Sequence, residues 1–183
     1  MLEIIRNFDG NLLIAIQDIF VNDIFTPVVK VITHLGDKGV LWILLIILML
    51  CFKKTRKTGI LAAISLATTF IVVNLFLKNA VSRARPYEIF DAVRLLIEKQ
   101  SDASFPSGHA ANSFAVATIM FTELPKKYGV PAITLAAMIA LSRLYVGVHY
   151  PLDVLCGIII GVEVALIVRY IDRKITEKRG LIK

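Results

Sequence analysis

Cysteine is nearly absent. Cys51 and Cys156 are the only two in 183 residues, and both fall inside apolar stretches. That excludes a disulfide framework and a thiolate metal centre, and both are expected as free, buried thiols. Acidic residues are also few, 14 against 21 Lys and Arg. No Asp, Glu and His stand at metal-ligand spacing, so neither a metal nor another cofactor is expected. The N-terminus lacks a basic region, apolar core and small-residue cleavage site in sequence, so no cleavable leader is expected. The polar surface of a soluble domain is missing too. The chain is 57% hydrophobic with a mean hydropathy of +0.74, and several runs approach or reach membrane-spanning length.

What is present is positive charge, +7 net, placed beside the apolar runs. Clusters occur at Lys53-Lys54-Thr55-Arg56-Lys57, at Lys126-Lys127 and from Arg169 to Lys183. This is the distribution of cytoplasmic loops, with anionic lipid headgroups rather than nucleic acid as the attracting partner. The fold class read from the pattern is all-α, a polytopic membrane bundle of about six transmembrane helices in one domain over 1–183. An interfacial helix is expected over 1–22, the bundle over 23–172 and a basic cytoplasmic tail over 173–183.

Along the chain, Phe8, Leu12, Leu13, Ile16, Ile19 and Phe20 share one helical face, which predicts an N-terminal amphipathic helix. Residues 23–35 are apolar but interrupted by Pro27 and Lys30, and are the weakest spanning candidate. A tight turn follows at His34 to Gly39, then a short apolar helix over 39–52. Residues 59–77 carry no charge and form the most secure span. Residues 87–105 form a long mixed-charge connection, a length that is often functional, with a short surface helix expected over 92–99. Helices are then expected from about 106 to 122, 130 to 148 and 152 to 170. Gly157 and Gly161 supply a small-residue packing face on the last, and Glu163 is a lone acid expected to pair or hydrogen-bond inside the bundle.

If 23–35 crosses, three polar blocks share one membrane face: the turn at 36–39, residues 78–106 and residues 147–153. They hold an unusual set of side chains. Lys78 and Arg85 are two helical turns apart, so one helix ending before Pro86 would aim both at one point. Arg143 ends an otherwise apolar run, where a guanidinium costs at least about 2.5 kcal/mol unless it has a task or a partner. Ser107 can cap the helix that follows it, Gly108 lets backbone N–H groups approach an anion, and His109 in the first turn is placed to give or take a proton. Asp153, four residues after His149, can fix one imidazole nitrogen and leave the other free as base or nucleophile. Fixed cations, free N–H donors, two imidazoles and a carboxylate match phosphoryl transfer, where catalysis is mostly positioning and charge stabilisation.

The pattern KxxxxxxRP…PSGH…SRxxxxxHxxxD, complete between Lys78 and Asp153, resembles the type 2 phosphatidic acid phosphatase superfamily. The resemblance implies phosphate binding by Lys78, Arg85, Ser107, Gly108 and Arg143. It implies His109 as acid and base, His149 as nucleophile and Asp153 as its partner. It also implies a six-helix membrane bundle with its site at the periplasmic or extracellular face of the cell membrane. The function expected is a metal-independent lipid phosphatase acting through a phosphohistidine. Its substrate would be undecaprenyl diphosphate, phosphatidylglycerol phosphate or phosphatidic acid. A lipid phosphotransferase using the same intermediate and a non-catalytic lipid-phosphate binder or transporter are the alternatives.

Overall fold

A bilayer offers no water to satisfy backbone N–H and C=O groups, so a chain this apolar has to close its hydrogen bonds within helices. The computed structural model describes residues 2–178 and 180, and every regular element among them is helical. In order these are α1 (Leu2–Phe20), α2 (Thr26–Leu35), a single turn at Asp37–Gly39, α3 (Val40–Cys51) and α4 (Arg56–Phe70). A π-type segment (Ile71–Leu77) carries α4 into α5 (Lys78–Val81). Then come the short α6 (Pro86–Ile89), α7 (Gly108–Glu123), α8 (Lys126–Tyr145) and α9 (Pro151–Lys178).

Three stretches are long and apolar enough to cross a bilayer: Arg56–Ile89, Lys126–Tyr145 and Pro151–Lys178. Their outward faces, with Ile60, Ile64, Leu141, Leu155 and Leu166 exposed, suit lipid, and the chain is an integral membrane protein. Length and composition support three spans among the described residues, or four with the bent α2–α3 pair, and do not confirm the expected six. Helices α2 and α3 do not form two separate crossings. They are bent by only 46° at the Asp37–Gly39 turn and count together as one broken span at most. The turn does not reverse the chain, because Lys38 and Gly39 at positive φ only kink it. Helix α7, with 16 residues and a length of about 24 Å, is not among the three on length alone.

The bundle is centred on α7, which buries Ala110, Ala111, Ala115, Val116 and Ala117. Small side chains there let α9 approach backbone to backbone. A Cβ placed on Gly161 would lie 2.3 Å from the Ala111 carbonyl oxygen, and one on Gly157 would lie 2.6 Å from that of Ser107. Trp42 of α3 is fully buried against the same helix and donates its indole N–H to Ser113 Oγ at 2.9 Å.

Several expectations need correction. Helix α1 lies within the expected 1–22 but turns polar groups inward: Asp9 and Gln17 are buried beside Leu13, while Phe8, Leu12, Ile19 and Phe20 face outward. Polar partners decide this orientation, since Gln17 donates to the carbonyls of Arg94 at 2.8 Å and Tyr145 at 2.9 Å. No helix forms over 92–99. That backbone is hydrogen-bonded elsewhere instead, Arg94 N–H to Gln17 Oε1 at 2.9 Å and Leu96 N–H to the Val146 carbonyl at 3.1 Å. Cys51 and Cys156 are free, but Cys51 is exposed and Cys156 half-buried, because each lies toward the outside of its helix. Glu163 is likewise on the outside. The expected tail from 173 is helical as far as Lys178, while residues 179 and 181–183 lie outside the described residues.

Substituting Gly161 by Val should shift α9 off α7 and cost about 1–3 kcal/mol of stability, the usual range for overpacking. Thermal unfolding in detergent checks this; an unchanged midpoint would mean the α7–α9 contact is not as close as described.

Candidate active site

The polar end of the bundle is assembled from three places in the chain. Lys78 follows the π-type segment, a widened turn of a kind often found at functional sites, and its side chain is buried. Helix α5 ends at Val81, not before Pro86 as the spacing suggested. Ser82 takes a left-handed conformation with φ +45, and Arg85 follows on extended backbone as the residue before α6, with Pro86 opening that helix. Lys78 and Arg85 therefore converge across a helix break at Ser82 rather than along one helical face. Arg85 is 2% exposed and donates to the Val148 carbonyl at 2.7 Å, the Asp102 carbonyl at 2.9 Å and Asp102 Oδ1 at 2.6 Å. Lys78 Nζ is paired with Asp102 Oδ2.

The second contribution is the junction of α8 and α9. Arg143, in the last turn of α8, is 1% exposed. Its Nη1 donates to Thr33 Oγ1 at 2.6 Å, and its Nε has no protein partner among the described residues. A buried guanidinium satisfied only by a neutral hydroxyl is costly unless an anion joins it. Gly147 then takes φ +81 with its α-carbon so near Arg94 that a Cβ would sit 2.3 Å from that carbonyl oxygen, so only glycine makes this turn without strain. It delivers His149, which is buried with Nδ1 at 3.6 Å from Asp153 Oδ2. That separation exceeds a hydrogen bond, and Nδ1 has no other partner.

Asp153 is fully buried in the first turn of α9 and heavily partnered. Arg83 Nη1 donates to its Oδ1 at 2.6 Å, and Ser104 Oγ at 2.5 Å and the Tyr150 N–H at 3.1 Å both donate to Oδ2. Arg83 also donates through Nη2 to Asp9 Oδ2 at 2.7 Å and stacks 3.8 Å above the Tyr150 ring. The N-terminal helix is thereby tied to the carboxylate behind His149.

The third contribution is the start of α7. Ser107 caps this helix, accepting from the Ala110 N–H at 3.4 Å, and its own N–H donates to the Asp153 carbonyl at 3.0 Å. The first N–H groups of a helix have no partner within it. His109 Nε2 is 2.9 Å from Asp37 Oδ1, across from the α2–α3 kink.

These groups meet in one cavity of about 780 Å³, whose lining includes Lys78, Arg85, Gly108, His109, Arg143 and His149. Ser107 and Asp153 stand behind it and do not line it. Its other walls come from α2 and the kink (Lys30, His34, Asp37) and from the long connection (Leu96 to Asp102). Burial lowers the His149 imidazole to about 3, against the opposing pull of Asp153, so it is neutral at ordinary pH. Burial would raise the Asp102 carboxyl, but Lys78 and Arg85 bring it down to about 2.

Sequence reasoning did not find Arg83, Ser104, Asp37, Asp102 or Asp9. Arg83 sits two residues before Arg85, where a second cation was legible, but nothing local tells which acid it meets. Asp37 and Asp102 lie in two of the polar blocks expected at the site's face, but neither belongs to a motif that would single it out.

Residues 57–177 match the sequence profile of the PAP2 superfamily. An undecaprenyl-diphosphatase of Sulfolobus acidocaldarius is 38% identical over 120 residues, which is 66% of this chain and 58% of that protein's length. Phosphatidylglycerophosphatase B of Bacillus subtilis is 32% identical over 179 residues, 91% of this chain and 82% of the relative. The crystal structure of a transmembrane PAP2-type phosphatidylglycerolphosphate phosphatase from Bacillus subtilis superposes with a TM-score of 0.75 at 29% identity. That match covers 93% of this chain and 87% of the other.

A histidine held near 3 when folded and titrating at 6.5 when unfolded leaves the unfolded chain holding the extra proton between those values. His149 should therefore favour folding above about pH 6.5, and its contribution should fall as the pH drops toward 3. In ¹³C-histidine-labelled protein in detergent, the His149 ring signal should stay in its neutral position from pH 8 to pH 5. Titration near 6.5 would show the ring to be solvated.

Proposed function

The chain belongs to the PAP2 superfamily, and from that premise we propose that it is a metal-independent phosphatase for a membrane lipid phosphomonoester or diphosphate. The observation that carries the reading is a single cavity whose lining brings together the motif imidazoles His109 and His149 and the motif cations Lys78, Arg85 and Arg143. Arg143 in particular is buried without an anionic partner among the described residues. The names of the relatives, an undecaprenyl-diphosphatase and a phosphatidylglycerophosphatase, support undecaprenyl diphosphate, phosphatidylglycerol phosphate and similar lipids as the substrate class.

His149 turns Nδ1 toward Asp153, so its Nε2 lone pair attacks phosphorus while the bond from phosphorus to the lipid oxygen breaks. The Nδ1 proton moves within reach of Asp153, which stabilises the imidazolium as it forms. Lys78, Arg85, Arg143 and the free N–H groups of α7 spread the charge on the phosphoryl oxygens. His109, fixed through Nε2 by Asp37, gives a proton from Nδ1 to the leaving oxygen. Water then attacks the phosphohistidine, His109 takes its proton, and phosphate leaves with His149 restored to neutrality. The same intermediate could pass its phosphoryl group to an acceptor other than water.

Orientation follows from charge. The basic residues at 53–57 and 126–127 lie at the α3–α4 and α7–α8 junctions, the opposite ends of α4 and α7 from Lys78 and His109. By the positive-inside rule this charge supports cytoplasmic junctions and, with them, a cavity at the periplasmic or extracellular face of the cell membrane.

His149→Ala should abolish phosphate release from undecaprenyl diphosphate, phosphatidylglycerol phosphate and phosphatidic acid in detergent. His109→Gln should slow release by about 10²- to 10⁴-fold. With ³²P-labelled lipid, the His109 variant should accumulate a base-stable, acid-labile phosphoprotein. Label recovered in a new lipid instead of free phosphate would favour the phosphotransferase, and loss of activity in EDTA restored by Mg²⁺ would overturn the metal-free route.

A further inference from the structure

Lys78 and Arg85 do not wait unpaired in the cavity. Asp102 holds both, one carboxylate oxygen on Lys78 Nζ and the other 2.6 Å from Arg85 Nη2. Lys78 and Arg85 are 7% and 3% exposed in their side chains, whereas the Asp102 side chain is 51% exposed. The two cations are thus fixed in the wall, and the acid reaches in from the mouth. A carboxylate that takes two donors through two oxygens offers the same contacts as two oxygens of a phosphoryl group.

We propose that Asp102 is an internal occupant of the phosphate seat, which the substrate's phosphoryl group must displace from Lys78 and Arg85 before reaction. The proposal rests on the reading of this cavity as a phosphate site. Neither the motif that supplies Lys78 and Arg85 nor the one that supplies His109 includes residue 102.

The geometry lets the side chain leave while the backbone stays. The Asp102 carbonyl is held by Arg85 Nε at 2.9 Å. Two residues on, Ser104 donates its N–H to the Arg83 carbonyl at 2.8 Å and its hydroxyl to Asp153. These bonds pin the chain on both sides of the carboxylate, so release needs only rotation about the Asp102 side-chain bonds into solvent, with no movement of the connection. Ionised throughout the working pH range, Asp102 cancels one of the positive charges that Lys78, Arg85 and Arg143 bring to the cavity. A phosphate dianion brings more charge and a third oxygen for Arg143, whose Nε has no protein partner among the described residues. A weakly charged ligand gains too little to evict the acid. With the seat empty, Asp102 gives the buried Lys78 and Arg85 a partner and avoids the cost of leaving them unpaired.

The test is binding of inorganic phosphate to the purified full chain in detergent, measured by calorimetry and by phosphate-induced thermal stabilisation. Wild type, Asp102→Asn, Asp102→Ser and Arg85→Gln are compared. Loss of a charge-assisted competitor should tighten phosphate binding in both Asp102 variants by about tenfold or more and enlarge their thermal shift. Either Asp102 variant suffices if the other does not fold. Equal or weaker phosphate binding in the Asp102 variants, with binding lost in Arg85→Gln, would overturn the internal occupant and show Asp102 to be a positioning residue of an intact phosphate site. Phosphate binding in Arg85→Gln equal to wild type would instead remove the phosphate site itself.

Discussion

A fully buried carboxylate on which three separated parts of the chain converge is the constraint behind this structure. Asp153 takes donors from Arg83, Ser104 and the Tyr150 backbone, and it faces His149 from behind. An ionised group at 0% exposure is tolerated only when its oxygens are filled. Filling them fixes the end of the π-containing helix, the long connection before α7 and the start of α9 in one place. Arg83 extends the same network to Asp9, so the N-terminal helix is held by a buried ion pair and not only by its apolar face. The inward turn of Asp9 and Gln17, against simple amphipathic expectation, follows from that.

Charge in front of His149 is balanced differently from charge behind it. Behind, Asp9 and Asp153 share one cation, Arg83, and their remaining contacts are neutral donors from Ser104 and the backbone of Tyr150 and Leu152. In front, Lys78 and Arg85 share one half-exposed acid, and Arg143 meets only the Thr33 hydroxyl. This asymmetry makes a pocket that is stable when empty yet favourable to an added anion. It also keeps His149 neutral, since burial and nearby cations both disfavour its protonated form. A neutral imidazole is the form that can attack phosphorus. On the proposed function, the apolar outer surface of the helices would let a lipid headgroup reach this pocket without its tails leaving the bilayer.

Much of this was legible from local pattern. The charge-free run over 59–77, the cap at Ser107 and the close-packing glycines at 157 and 161 all read correctly, because helix formation, capping and small-residue contact depend on neighbours in sequence. Lys78, Arg85, Gly108, His109, Arg143 and His149 were named from motif spacing and line one cavity. Where the reading went astray, a distant partner had overridden a local tendency. Residues 92–99 had helical composition, yet Gln17 and Val146 take up their backbone groups. Lys78 and Arg85 had helical spacing, yet Ser82 breaks the helix between them and still brings both to one seat. The α2–α3 turn looked like a reversal and is only a 46° bend.

By itself the sequence determined that the chain lives in a membrane, that it is helical, and which side chains were candidates for one polar cavity, since hydropathy, period and residue type are properties of short stretches. Only the tertiary structure decided which acid stands beside which base. Asp37 on His109, Asp102 across Lys78 and Arg85, and Arg83 between Asp9 and Asp153 join residues 17 to 74 positions apart. The physical reason is that an ion pair depends on where charges end up in space once helices have packed, and no local pattern in the chain records that distance.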